Sequence, residues 1–383
     1  MKLVVGFMPL LDCASLVVAA ERGFAAEEGL DLRLVRETSW ANIRDRIIVG
    51  QFDTAHMLAP MPVAAALGIG PIQTALIAPM SLGLGGNAIT VSLSLWEEMT
   101  SEGAVSGEFS LAQGEALRRV VAARASAGAD PLTFGMVYPF SCHNYELRYW
   151  LASAGIDPDR DVRLTVIPPP FLADALRTGQ IDGFCVGEPW NSVAVDAGVG
   201  AIVTPTTALW PLSPEKVLGC RTDWAARYPD ELAGLLRALY RAARWIEAPA
   251  NHAEVARLLA DPRFVGTSAG LLHRALAGRL ALVPGADPTA LQDFFVPARH
   301  HAAFPWKSHA LWLYTQMVSW GQVEHSAQHL QAAGQTYRPD IYRAALAGVD
   351  HDIPGADVKS ERFFDDRNFD PQKLAGWLER KDL

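Results

Sequence analysis

Cysteine is scarce in this chain. Four stand in 383 residues, Cys13, Cys142, Cys185 and Cys220, far apart and with no CxxC pair. That spacing excludes a disulfide scaffold and a structural zinc site, and leaves four small buried thiols as the simplest reading. Basic charge is also short: Lys plus Arg number 33 against 42 Asp plus Glu, a net charge of −9. Direct nucleic-acid binding and docking on an anionic membrane both need a basic footprint, so neither fits. Charge of either sign is missing from Thr54 to Trp96. A membrane span needs about 20 uninterrupted apolar residues. Here Pro60, Pro62, Gly68, Gly70, Pro71, Pro79, Gly83, Gly85 and Gly86 cut the stretch into strand-sized pieces, which predicts core. Residues 1–12 carry one basic side chain and a short apolar run broken by Gly6 and Pro9, with no small-residue cleavage site after them. They read as a first strand rather than a secretory leader.

What is present is enough apolar residue for a sizeable core. Half of the chain is hydrophobic and 20% is charged, and the length fits two domains. The chain also repeats itself once. Strand 2–10, helix 14–22, strand 30–36 and helix 40–49 lead into Gly50-Gln51-Phe52-Asp53 and a strand through Met57 and Leu58. Strand 132–140, helix 143–154, strand 162–167 and helix 171–178 lead into Gly179-Gln180-Ile181-Asp182 and a strand through Val186. Both halves run β-α-β-α-β, which predicts an α/β fold of two similar lobes, each a parallel sheet covered by helices. Residues 87–92 read as a strand crossing between lobes, with a return just after Glu188-Pro189-Trp190. Lobe I is then 1–88 plus 195–383, and lobe II is 89–194. The remainder, from about residue 201, reads as mainly helical (224–247, 253–259 and 311–320), with a surface-hugging tail around 363–369.

In open α/β sheets, ligands bind beyond the carboxyl ends of the strands. Loops 10–15, 38–42, 57–62, 138–144, 168–171 and 188–190 would therefore line a cleft. They carry little catalytic equipment: no GxSxG elbow, no P-loop, and no GxGxxG followed by a ribose-binding acid. Gly83-Leu84-Gly85-Gly86 lacks the Lys-Ser/Thr ending of a phosphate loop and reads as a hinge turn. The loops do carry donors at helix starts. Ser39 is a candidate N-cap that puts Trp40 at the first helical position, and Ser141 is another, with His143 in the first turn. Asp12-Cys13-Ala14-Ser15 opens a third helix in the same way. Free N–H groups and partial positive charge at such starts suit an anion. Each side chain also has an ordinary structural role open to it. Trp40 can be core, His143 a satisfied structural histidine, and Lys216 a solvated strand residue paired with Glu215. Glu188 and Trp190 read first as braces of the crossover and second as cleft contacts.

Several long strings carry a resemblance. They are Thr38-Ser39-Trp40-Ala41-Asn42-Ile43-Arg44-Asp45, His56-Met57-Leu58-Ala59-Pro60-Met61-Pro62, and Asn87-Ala88-Ile89-Thr90-Val91-Ser92. Pro139-Phe140-Ser141-Cys142-His143-Asn144-Tyr145-Glu146, Val186-Gly187-Glu188-Pro189-Trp190-Asn191 and Pro305-Trp306-Lys307-Ser308-His309 continue them. In this order they resemble the nitrate- and bicarbonate-binding proteins of the NrtA/CmpA type, over essentially the whole chain. The resemblance implies a two-lobed, type II periplasmic-binding-protein-like fold, a C-clamp with the oxyanion in the cleft between the lobes, and neither cofactor nor catalysis. It implies a pocket of Trp40, the amide of Asn87, His143 and Lys216, with Glu188 and Trp190 nearby; the family's longer Gln-type amide is here an Asn. The start at the first strand is similar to the leaderless cytoplasmic nitrate/nitrite sensors of the NasS type. They release an RNA-binding antiterminator of the NasT type when the anion binds, and an acidic surface suits such a basic partner. The other readings are a transport component of the same family and an enzyme like the thiamine-precursor synthases, whose Cys-rich motif is absent. Nitrate has three acceptor oxygens and no donor, so a ring of donors without acceptors is expected, open to nitrite as well; bicarbonate, with one O–H, would reward an acceptor.

Overall fold

The structure is a computed structural model that describes residues 1–70, 74–109 and 111–378; Pro71 thus lies outside the described residues. Two five-stranded sheets organise it. The first runs in the order Asp31–Arg36, Lys2–Phe7, Thr54–Leu58, Lys216–Arg221, Leu76–Ser81. The second runs Gly200–Pro205, Asn87–Ser92, Gly183–Gly187, Thr133–Met136, Arg163–Val166. Three strands of each sheet pair in parallel, as the repeated β-α-β-α-β pattern predicts. The other pairings are antiparallel, so the sheets are mixed and not wholly parallel. The cause is the crossing: Asn87–Ser92 and Lys216–Arg221 each arrive from the other sheet and run against the strand they join. Gly200–Pro205 stays in the second sheet, antiparallel to Asn87–Ser92. The chain therefore returns only between Pro205 and Lys216, and the boundary expected at residue 195 falls before this strand.

The repeated Gly-Gln-apolar-Asp signature has a structural cause. Gly50 and Gly179 have φ of 77° and 70°, the left-handed conformation that ends a helix at little cost only when no Cβ is present. The aspartates then do the same work in both lobes. The Asp53 carboxylate accepts the Val4 N–H at 2.8 Å, and the Asp182 carboxylate accepts the Thr133 N–H at 2.7 Å. Each side chain thus pins the third strand of its lobe to the start of the first.

The charge-free stretch forms buried strands, as expected: Thr54–Leu58 and Leu76–Ser81 are buried throughout. Among the described residues no helix is long and apolar enough to cross a membrane. The helix expected over 224–247 divides at Tyr228 into Thr222–Arg227 and Pro229–Ile246, because a proline starts a helix more easily than it continues one. The four cysteines are buried and unpaired. The tail is not a surface layer. Phe363, Phe369 and Trp377 are buried, and the Phe363 ring stacks on Trp312 with centroids 5.6 Å apart. Beside them the Phe364 N–H donates to the Leu209 carbonyl, and the Tyr149 hydroxyl donates to Asp365 at 2.9 Å. Aromatic burial holds the tail down as a strap that reaches from the first lobe to the second.

Candidate functional site

A strand that runs against its neighbours presents its first residue at their carboxyl ends. Asn87, opposite Gly187, and Lys216, opposite Leu58, reach the cleft in this way. Trp40 and His143 arrive at helix starts. Ser39 caps Trp40–Ile48 by accepting the Asn42 N–H at 3.3 Å, and Ser141 caps Cys142–Ser153 by accepting the Asn144 N–H at 3.1 Å. The four side chains are at most 1% exposed. They come together.

The sequence offered a Lys216–Glu215 pair but not the rest of the acid between them. The Lys216 ammonium lies 2.8 Å from Asp12 Oδ2, pairs also with Glu215, and sits 5.4 Å from the centre of the Trp40 ring. Lys216 is therefore a buried, doubly paired cation and not a solvated one. Asp12 does not cap a helix; its other oxygen lies 3.0 Å from His56 Nε2. His143 Nε2 is 3.1 Å from Glu215 Oε1. The Asn87 amide nitrogen donates to Glu215 at 2.6 Å and to Glu146 at 3.1 Å. The donor ring is thus interleaved with three carboxyl groups, because a buried ammonium needs anionic partners to offset its desolvation.

Signals for these acids were present. Asp12 stands in a loop already singled out, Glu215 precedes Lys216 in an apolar run, and Glu146 follows His143 by three residues, which puts both on one helix face. Glu188 and Trp190 lie elsewhere. The Trp190 indole donates to the Pro9 carbonyl at 3.0 Å, and the Glu188 backbone bonds to Leu11 and Gly86. They tie the end of Gly183–Gly187 to the loops at Pro9, Leu11 and Gly86, and among the described residues neither side chain hydrogen-bonds to the cluster.

Burial and charge set the protonation states. Burial alone would raise Asp12, but Lys216 and His56 outweigh it and hold the carboxyl well below the usual range. Burial would lower Lys216, yet Asp12 and Glu215 raise it above the ordinary lysine value. Burial raises Glu215 against the pull of Lys216. Burial and the neighbouring Glu215 push Glu146 up to about 8. Burial, then Lys216, keeps His143 far below an ordinary histidine, so it is a neutral imidazole. Burial lifts Glu188 to about 7.

Several polar atoms of the cluster remain available. Among the described residues the Trp40 indole N–H, His143 Nδ1, Asn87 Oδ1 and Glu146 Oε1 have no hydrogen-bond partner. A buried polar atom without a partner costs about 1–3 kcal/mol, so their convergence from both lobes suits a small polar ligand. The ammonium of Lys216 has three protons and two carboxylate partners, which leaves one for such a ligand.

Comparison with known proteins gives a consistent result. Residues 1–260 match the NMT1-like family. The chain is 35% identical over 381 residues to the nitrate import ATP-binding protein NrtC of Synechocystis, covering 98% of this chain but only 54% of that one. It is 34% identical to the nitrate/nitrite binding protein NrtA of Synechococcus elongatus, covering 98% of this chain and 84% of the relative. The crystal structure of the periplasmic nitrate-binding protein NrtA from Synechocystis PCC 6803 superposes with a TM-score of 0.91 at 26% identity, covering 100% of this chain and 98% of that one. The fold is the type II periplasmic-binding-protein fold, two α/β lobes around a cleft.

Proposed function

The chain belongs to the NMT1-like family, and on that premise we propose that it binds a small oxyanion, nitrate or nitrite, between its lobes. It is a substrate-binding protein and not an enzyme, as its NrtA relatives are. One observation carries the reading: the Lys216 ammonium lies 5.4 Å from the centre of the Trp40 ring, both side chains are buried, and the Trp40 indole N–H has no partner among the described residues. Trp40, Asn87, His143 and Lys216 are the proposed contacts. A planar anion accepts from the indole and from the third ammonium proton, while His143 turns Nε2 toward the Glu215 carboxyl at 3.1 Å. Titration calorimetry with nitrate, nitrite and bicarbonate tests it, and no heat with any of the three would sink it.

Bicarbonate is the second reading, and the acid in the cluster favours it. An O–H on the ligand finds an acceptor in Glu146 Oε1 or Asn87 Oδ1, whereas nitrate leaves both unmatched. Stronger binding of bicarbonate than of nitrate in the same titration would decide for it.

The biological role we favour is that of a cytoplasmic sensor. Closure around the anion changes the surface that a partner reads, and a net charge of −9 suits a basic, RNA-binding antiterminator of the NasT type. The alternative is the substrate-binding component of a nitrate or bicarbonate transporter. Size-exclusion chromatography with such an antiterminator separates the two. A complex present without nitrate and lost with it supports the sensor. Recovery of the native protein outside the cytoplasm, or no complex in either condition, supports the transporter.

A further inference from the structure

We propose that the site takes up its oxyanion together with a proton, carried by the Glu146–Glu215 carboxyl pair that the Asn87 amide bridges. The inference rests on the oxyanion-binding reading above and adds a second ligand, the proton, to the same site.

The geometry comes first. Asn87 Nδ2 lies 2.6 Å from Glu215 Oε2 and 3.1 Å from Glu146 Oε2, so one small amide holds two carboxyl groups side by side away from water. The groups facing the pair come from several elements. The loop before Ala14–Glu21 brings Asp12, Thr54–Leu58 brings His56, and Lys216–Arg221 brings Lys216. The helix Cys142–Ser153 brings Cys142 and His143, while Gly183–Gly187 brings Cys185. Tyr337 and Ser213 complete the surroundings. Among these the only cation is Lys216, since burial keeps both histidines below their ordinary values and therefore neutral at physiological pH.

Charge arithmetic follows. With Asp12, Glu146 and Glu215 all ionised, the cluster carries three negative charges against one positive. Glu146, already raised to about 8 by burial and by Glu215, relieves part of this by holding a proton. An arriving anion adds one more negative charge within the same buried space, with no additional cation to offset it. Whichever carboxylate of the pair is still ionised then becomes more basic, and a proton enters from solvent. Linkage makes the effect mutual: if the anion raises proton affinity, the proton raises anion affinity. Nitrate is the informative probe, because it does not itself titrate near neutrality. Below the upper pKa of the free pair the proton is already in place before the anion arrives, and nitrate affinity is flat. Above it, affinity falls by up to about tenfold per pH unit.

The experiment is nitrate titration of the full chain from about pH 7 to about pH 9.5 in buffers of different ionisation enthalpy. The expected result is uptake of up to about one proton per nitrate at the alkaline end, with a matching rise in Kd. The Glu146→Gln variant, folded by circular dichroism, is expected to take up fewer protons and to flatten the profile. Nitrate binding with an unchanged Kd and no buffer dependence across the range overturns the proton coupling and leaves the binding reading standing. If nitrate gives no heat, bicarbonate at the lower half of the range serves as the probe under the same criteria. No binding of either ion overturns both readings together.

Discussion

A neutral His143 and a charged Lys216 sit side by side, and their removal has different consequences. His143 is an uncharged imidazole beside Glu215, so His143→Ala is expected to weaken nitrate binding by about 0.5–1.5 kcal/mol, roughly two- to tenfold in Kd by calorimetry. Lys216→Ala strands two carboxylates, Asp12 and Glu215, in a dry interior. It is expected to abolish binding and to cost about 3–5 kcal/mol of stability in urea denaturation. Glu146 gives a pH signature of its own. Its folded pKa of about 8 lies above the reference value of 4.5. Between those limits the folded state holds a proton that the unfolded state has lost. Stability therefore falls as pH rises from about 4.5 to about 8, with a slope of up to about 1.4 kcal/mol per pH unit from this group. Glu146→Gln is expected to flatten that slope in melts of the ligand-free protein. Equal slopes in both proteins would mean that Glu146 is ionised in the fold.

The elements of the two lobes are held by matching devices. Asp53 and Asp182 each accept a backbone N–H from the first strand of their lobe. Replacing either with Ala removes a charge-assisted bond and leaves a partly buried N–H without its acceptor, an expected cost of about 1.5–3 kcal/mol by chemical denaturation. The repeat was legible in the sequence, and so were the helix starts at Ser39 and Ser141, because caps and left-handed glycines are local chemistry. The antiparallel crossing strands were legible only in part. Asn87–Ser92 was recognised as a crossing, but the place of Gly200–Pro205 depends on hydrogen bonds to a strand more than a hundred residues earlier. Local pattern carries no record of such a partner.

At the scale of the molecule, the buried site reaches solvent only if the lobes separate. Polar bonds between the lobes oppose that motion: Arg44 to the Tyr138 hydroxyl at 2.9 Å, Tyr145 to Gln322 at 2.6 Å, and Tyr149 to Asp365 at 2.9 Å. They stabilise the closed form, and a ligand with higher affinity for that form draws the population toward it. Tyr149→Phe removes the bond from the tail without touching the pocket. It is expected to raise the apparent Kd for the anion by roughly two- to tenfold, and small-angle scattering should then detect a larger radius at equal anion concentration. An unchanged affinity would mean that the strap does not contribute to closure.

The family resemblance, and not local pattern, named Trp40, Asn87, His143 and Lys216 together; composition, spacing and local capping were enough to predict an α/β chain of two similar lobes with a cleft at the strand ends. Those properties depend on neighbours in sequence, and the chain spells them out. The acid within the cluster is different. Asp12, Glu146 and Glu215 come from a loop, a helix and the residue before a strand, and the local signal that marks each one does not bring the three together. Only folding brings them around one buried ammonium, where desolvation and mutual repulsion set which of them hold protons. That arrangement, and the aromatic burial that turns the tail into a strap, exist only once distant segments share a space without water.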